Sequence, residues 1–154
     1  MTNDHDMPPT AADGHAETAL HYAAWSGDLA EVRQLIEAGT DPNLLDSNGE
    51  TALFGAVAGA RIDVVAYLLS FGARHDLHES TAGLTPLHWA ASHGGVETMR
   101  LLIEAGADPT VEDRHGRLPV DLAHRSGKGE HVAYLKTVGP PIASKRPDSK
   151  RELR

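Results

Sequence analysis

One seven-residue phrase returns along this chain at a nearly fixed interval. Thr85-Pro86-Leu87-His88-Trp89-Ala90-Ala91 is echoed upstream by Thr18-Ala19-Leu20-His21-Tyr22-Ala23-Ala24. Thr51-Ala52-Leu53-Phe54-Gly55-Ala56-Val57 stands between them, and a degraded copy, Leu118-Pro119-Val120-Asp121-Leu122-Ala123-His124, lies downstream. The leading positions 18, 51, 85 and 118 are 33, 34 and 33 residues apart. A unit of this length cannot bury an apolar face alone, so the units must stack and bury it against one another.

The spacing gives four units, at about 13–45, 46–78, 80–112 and 113–138, with Glu79 as the extra residue in a loop that tolerates insertion. Each unit predicts two short helices. Thr18, Thr51 and Thr85 are placed to cap the first helix, and Pro86 and Pro119 follow where a missing N–H costs nothing. Gly27, Gly94 and Gly127 are expected to end it in the left-handed region. The second helix shows apolar residues at helical spacing, as in Val32, Leu35 and Ile36 or Met99, Leu102 and Ile103. It ends at Gly39, Gly72 and Gly106, and turns such as Asp41-Pro42-Asn43 and Asp108-Pro109-Thr110 begin a projecting loop.

Helix, turn, helix and projecting hairpin at this period resemble the ankyrin repeat. Thr-Pro-Leu-His-x-Ala-Ala in unit three, with Leu101-Leu102 and Gly106-Ala107-Asp108, carries the likeness most fully, and residues 13–138 share it. The resemblance implies an all-α solenoid with projecting β-hairpin loops, in which His21 and His88 are structural. Four positions depart from the pattern. Ala60 stands where an inter-helix glycine is expected, which predicts a displaced or longer turn, and Phe54 replaces the histidine of its unit. Ala16 replaces a turn glycine, and Asp121 takes the histidine position of unit four. Units one and four read as the caps of the stack.

Only 5% of the residues are aromatic, which suits small helices packed closely and argues against a sandwich or barrel. There is no cysteine, so disulfides and thiolate metal sites are excluded. No run approaches the roughly 18 apolar residues of a membrane span, and residues 1–12 lack the apolar centre of a secretory signal. A cytoplasmic location is therefore expected. The formal charge is −8, with Lys145, Arg146, Lys150, Arg151 and Arg154 gathered in the tail. The acidic body disfavours phosphate contacts. Residues 1–12 and the basic tail 139–154 are polar and unpatterned, and both are expected to be disordered.

Nothing in the chain assembles a catalytic constellation. Ser26, Ser92 and Ser126 precede inter-helix turns and sit in no nucleophile elbow. Gly127-Lys128-Gly129 lacks the Walker spacing. His75, Asp76, His78 and Glu79 share a loop, but a polar hairpin explains them better than a metal site, so neither metal nor cofactor is expected.

What remains is surface, where projecting positions are free to differ between units. Unit one offers His15, Glu17, Trp25 and Ser26, and unit two Ser47, Asn48, Glu50 and Ala58. Unit three offers Thr81, Leu84, Ser92 and His93, and unit four Arg114, His115, Arg117 and Arg125. This predicts a concave face that is acidic and aromatic early and arginine-rich late. Trp25 is expected at the surface as a hot-spot candidate, with packing against Met7-Pro8-Pro9 as its alternative role. Tyr22 and Trp89 are expected to fill space between units. The resemblance implies a non-enzymatic module that binds another protein on this face and is monomeric without it. An immunity or inhibitor protein neutralising a toxin or nuclease is the alternative; nucleic-acid binding and enzymatic activity are less favoured.

Overall fold

The computed structural model describes residues 16–138, with the side chains described from residue 19. Eight helices follow one another in pairs: α1 (Ala16–Ser26) and α2 (Leu29–Glu37), α3 (Ala52–Ala58) and α4 (Ile62–Ser70), α5 (Pro86–Ser92) and α6 (Val96–Glu104), α7 (Pro119–Arg125) and α8 (Gly129–Val138). Each helix packs on its pair mate and on the corresponding helices of adjacent pairs. The result is an inner row, α1, α3, α5 and α7, backed by an outer row, α2, α4, α6 and α8.

The core repeats with the sequence. Leu20, Leu53 and Leu87 are buried at one register of the inner row, and Val32, Val65 and Met99 at one register of the outer row. Leu68, Leu102 and Leu135 continue the outer row. Each such side chain contributes about 1.5–3 kcal/mol by leaving water. Small residues let the rows close up: Ala23, Ala24, Ala56, Ala90, Ala91 and Ala123 are buried among them.

Helix ends follow the sequence in most places and depart from it in four. α1 begins at Ala16, so Thr18 lies inside the helix and does not cap it. Thr85 caps α5 as expected, its hydroxyl accepting the His88 N–H at 3.4 Å. Thr51 makes no such bond, and its hydroxyl is buried without a partner. The cause is Phe54: in unit three the equivalent His88 ring engages the Thr85 hydroxyl at 2.8 Å, and a phenyl ring cannot. In unit four Asp121 takes over the task, its carboxylate accepting the Leu118 N–H at 2.8 Å.

The inter-helix turns give the remaining departures. Gly27 and Gly127 have φ of 84° and 69°. Ala60 does not displace its turn; it adopts φ 54° itself, the only non-glycine to do so among the described residues. Gly94 is not left-handed. A Cβ there would lie 2.8 Å from the Ala90 Cα, so close approach requires the glycine.

The projecting loops contain no strand among the described residues. Each is a tight turn whose ends are joined by a backbone bond, Asp46 N–H to Glu50 O, Glu79 N–H to Leu84 O and Asp113 N–H to Arg117 O, all at 2.9 Å. Adjacent turns are stitched together by Ser80 N–H to Asn48 O at 3.1 Å and Arg114 N–H to Ala82 O at 2.9 Å.

Candidate partner-binding face

A carboxylate sits beneath each turn and collects its N–H groups. Asp46 accepts from Asn48 and Glu50 at 2.8 and 2.9 Å, and Asp113 from His115 and Arg117 at the same distances. Glu79 holds the corresponding place. It is 2% exposed, and it accepts the N–H groups of Thr81, Ala82 and Leu84 and the Thr81 hydroxyl.

Glu79 is thus not the inserted residue. The turn-to-turn bonds align Ser80 with Arg114 and Ala82 with Asn48, which leaves Thr81 as the addition. A turn one residue longer needs a longer acid, and glutamate supplies the extra methylene. Burial alone would raise the Glu79 pKa, but the bonds from Leu84, Thr81 and Ala82 outweigh it and hold the group at about 2. Asp113 is shifted the same way: burial opposes ionisation, and the Arg117 backbone and guanidinium with the His115 N–H overcome it.

Histidines tie these turns to the inner helices. The His88 Nε2–H donates to the Arg117 carbonyl at 2.9 Å while Nδ1 accepts from Thr85. Burial lowers the His88 pKa, which keeps this neutral tautomer in place. The His21 ring Nε2 contacts the Glu50 carbonyl at 2.7 Å. His131, which the sequence reading passed over, is buried on α8 and donates from Nδ1 to the Ala91 carbonyl at 2.9 Å.

Of the loop set, Asp76, His78 and Glu79 are engaged within the stack, whereas the His75 Nδ1 is buried without a hydrogen-bond partner. Asp76 pairs with Arg74 at 3.0 Å, His78 Nδ1 donates to the Gly83 carbonyl at 2.7 Å, and Glu79 holds its turn. Among the described residues no three or more His, Cys, Asp or Glu side chains are placed to hold a metal ion.

The sequence-predicted surface residues divide on inspection. Asn48, His93, Arg114, His115 and Arg125 are exposed, and Ser26, Glu50 and Leu84 are partly so. Ser92 is buried, and its hydroxyl donates to the His88 carbonyl at 3.1 Å, so it is a packing residue and not part of the accessible face. Arg117 is largely spent on Asp113, Nε to Oδ2 at 2.7 Å, and Arg114 donates to the Thr81 carbonyl at 3.2 Å. Arg125 thus extends the arginine-rich end, and Arg117 serves mainly as scaffold. His15 and Met7-Pro8-Pro9 lie outside the described residues, as do residues 1–12 and the tail 139–154; Glu17 is in α1.

Trp25 is 55% exposed, and beside it Tyr22 is 67% exposed, contrary to the expectation that Tyr22 fills space between units. Its counterpart Trp89 does pack against the core and stacks on His93, ring centroids 4.9 Å apart. The difference lies in the neighbours. Among the described residues α5 has an inner helix on each side, whereas α1 has α3 alone, where Gly55 offers no side chain at the facing position.

Comparison with known proteins supports the same architecture. A family model described as "Ankyrin repeats (3 copies)" matches residues 3–79, 20–113 and 72–145. Cyclin-dependent kinase inhibitor 2A of Monodelphis domestica is 40% identical over 119 residues, covering 77% of this chain and 69% of that protein. Human cyclin-dependent kinase 4 inhibitor B is 38% identical over 124 residues, covering 80% and 89%. The palmitoyltransferase Hip14 of Drosophila melanogaster is 38% identical over 112 residues, but these cover only 18% of that enzyme.

Proposed function

This chain belongs to the ankyrin-repeat family, and on that premise we propose that it acts in the cytoplasm as a stoichiometric inhibitor without chemistry of its own. One copy grips one partner enzyme through the turns and inner helices and covers a surface the partner needs. The partner class put forward is a protein kinase of the cyclin-dependent kind. Two relatives matched over more than three quarters of this chain are named as inhibitors of such kinases.

One observation carries the reading. Groups with apparent chemical potential, such as His88, Glu79 and Asp113, are committed to holding turns, while the exposed aromatics Tyr22 and Trp25 have no comparable task in the stack. Aromatic side chains left in water on a scaffold that does not need them mark an interaction surface. The remaining exposed candidates, Asn48, His93, Arg114, His115 and Arg125, would form the rest of that surface.

The test is inhibition of purified cyclin-dependent kinase 4 by the purified chain, with peptide phosphorylation as the readout. Loss of activity that saturates at one equivalent is expected. Full activity in tenfold excess of the chain would overturn the kinase assignment.

A further inference from the structure

We propose that the chain's own segment Met7-Pro8-Pro9 docks on the exposed rings of Tyr22 and Trp25, with Asp4 and Asp6 beside Arg61, and holds this part of the face until a partner displaces it. Residues 1–15 lie outside the described residues, and α1 begins immediately after them at Ala16. Tyr22 and Trp25 stand three residues apart on one side of α1, both exposed, with ring centroids 6.4 Å apart. Leu20, Ala23 and Ala24 occupy the opposite, buried side. Gly55 of α3 faces this flank without a side chain, and a Cβ there would meet the Trp25 Cβ and the His21 carbonyl at 3.4 Å.

Chain length, backbone chemistry and charge together select this occupant. Asp13-Gly14 is a turn-forming pair placed two residues before α1, able to send the preceding residues back along the helix. The helical rise puts Tyr22 and Trp25 about 9 and 14 Å from Ala16. Pro9 and Met7 precede Asp13 by four and six residues, about 12 and 19 Å of extended chain, so the segment reaches both rings and leaves a few ångströms for the turn. Pro8 and Pro9 carry no backbone N–H, so they can lie on ring faces without burying an unpaired donor. Met7 adds a thioether suited to an indole. Asp6 and Asp4 follow in the same direction and arrive at the far end of α1. Arg61 stands there, exposed, its Nε donating to the Trp25 carbonyl at 3.1 Å. Among the described residues Arg61 forms no ion pair, so two carboxylates find an uncommitted guanidinium. The tether makes the contact intramolecular, with an effective concentration on the order of millimolar. A second copy of the chain carries the same groups without that advantage.

Fluorine NMR of the full chain carrying fluorotryptophan tests this, with the Trp25 resonance assigned by its loss in Trp25→Phe. In Pro8→Gly/Pro9→Gly that resonance should move toward the position of free fluorotryptophan, while the Trp89 resonance stays. Asp4→Lys/Asp6→Lys should move it the same way, and adding Arg61→Glu to that pair should restore it. The restoration separates a contact with the segment from the support that Arg61 gives α1 directly. If Arg61→Glu disturbs the first unit, nuclear Overhauser contacts between the Pro8 and Pro9 ring protons and the Trp25 indole of the parent serve instead; they are expected, and their absence would overturn the proposal. A Trp25 resonance indifferent to the proline change would overturn it too, as would a shift that grows with protein concentration, which assigns the rings to a second copy. Pro8→Gly/Pro9→Gly should also bind the kinase at least twofold more tightly than the parent, and equal affinity would overturn the displacement. The NMR measurements use no kinase, so their failure leaves the inhibitor reading standing, and failure of that reading leaves them unaffected.

Discussion

The Glu79 carboxylate accepts the backbone N–H of Leu84 at 2.9 Å, five residues along the chain, where Asp46 and Asp113 span four. Side-chain length and turn length are matched, and the match is open to direct test. Glu79→Gln should cost about 2–3 kcal/mol, as expected for hydrogen bonds to a buried charge. Glu79→Asp should also destabilise, because the shorter acid cannot reach around Thr81. Deleting Thr81 in the Glu79→Asp background should restore much of the loss, measured by urea denaturation. No recovery would contradict the assignment of Thr81 as the inserted residue.

The same carboxylate sets an acid limit. Its folded pKa, about 2, lies below the ordinary glutamate value of 4.5. The stabilisation it provides is therefore present above about pH 4.5 and is lost as pH falls toward 2. Glu79→Gln should flatten the stability profile across that window. An unchanged profile would show that the turn does not depend on the charge.

His88 governs a higher window. Burial holds its pKa below the ordinary value of 6.5, so the folded state resists a proton that the unfolded chain accepts. The associated stability is complete above about pH 6.5 and declines as pH falls below it. His88→Phe, copying Phe54 of unit two, should lower stability at neutral pH and reduce the decline in Tm between about pH 7.5 and 5.5. An equally steep decline would place the sensitivity elsewhere.

Unit two offers two stabilising changes. Thr51 holds a buried hydroxyl without a partner, so Thr51→Val should gain about 1 kcal/mol by removing it at constant shape. Ala60 sits at φ 54°, where an L side chain costs roughly 1–2 kcal/mol and glycine does not. Part of that gain is returned as unfolded-state entropy, so Ala60→Gly should raise stability by about 0.5–1 kcal/mol. The check is a higher urea midpoint with an unchanged slope. A lower midpoint in either variant would contradict its assignment.

The stack was legible in the sequence because its signals are local and repeated. Pro86 and Pro119 open α5 and α7, and Gly39, Gly72 and Gly106 follow the outer helices with φ of 100°, 89° and 109°. The errors share a different origin, since spacing alone cannot say which residue of a loop is extra. Spacing puts the insertion at Glu79, whereas the turn-to-turn bonds put it at Thr81. Alignment by position also treated Tyr22 and Trp89 as equivalent, although they have different neighbours. Ser92 and Trp25 share a register as well, yet one is buried and the other exposed, because exposure depends on what the adjacent unit presents. The exposed tryptophan was anticipated; its partner Tyr22 was hidden by the repeat that identified the fold.

The central claim is that the scaffold and the binding face are separable. Isothermal titration of cyclin-dependent kinase 4 with the parent and with Trp25→Ala, alongside the Tm of each, tests it most directly. The account predicts one-to-one binding by the parent, affinity weaker by about 10–30-fold in Trp25→Ala, as for a hot-spot tryptophan, and nearly equal Tm values. Equal affinities, or no binding by the parent, would contradict it.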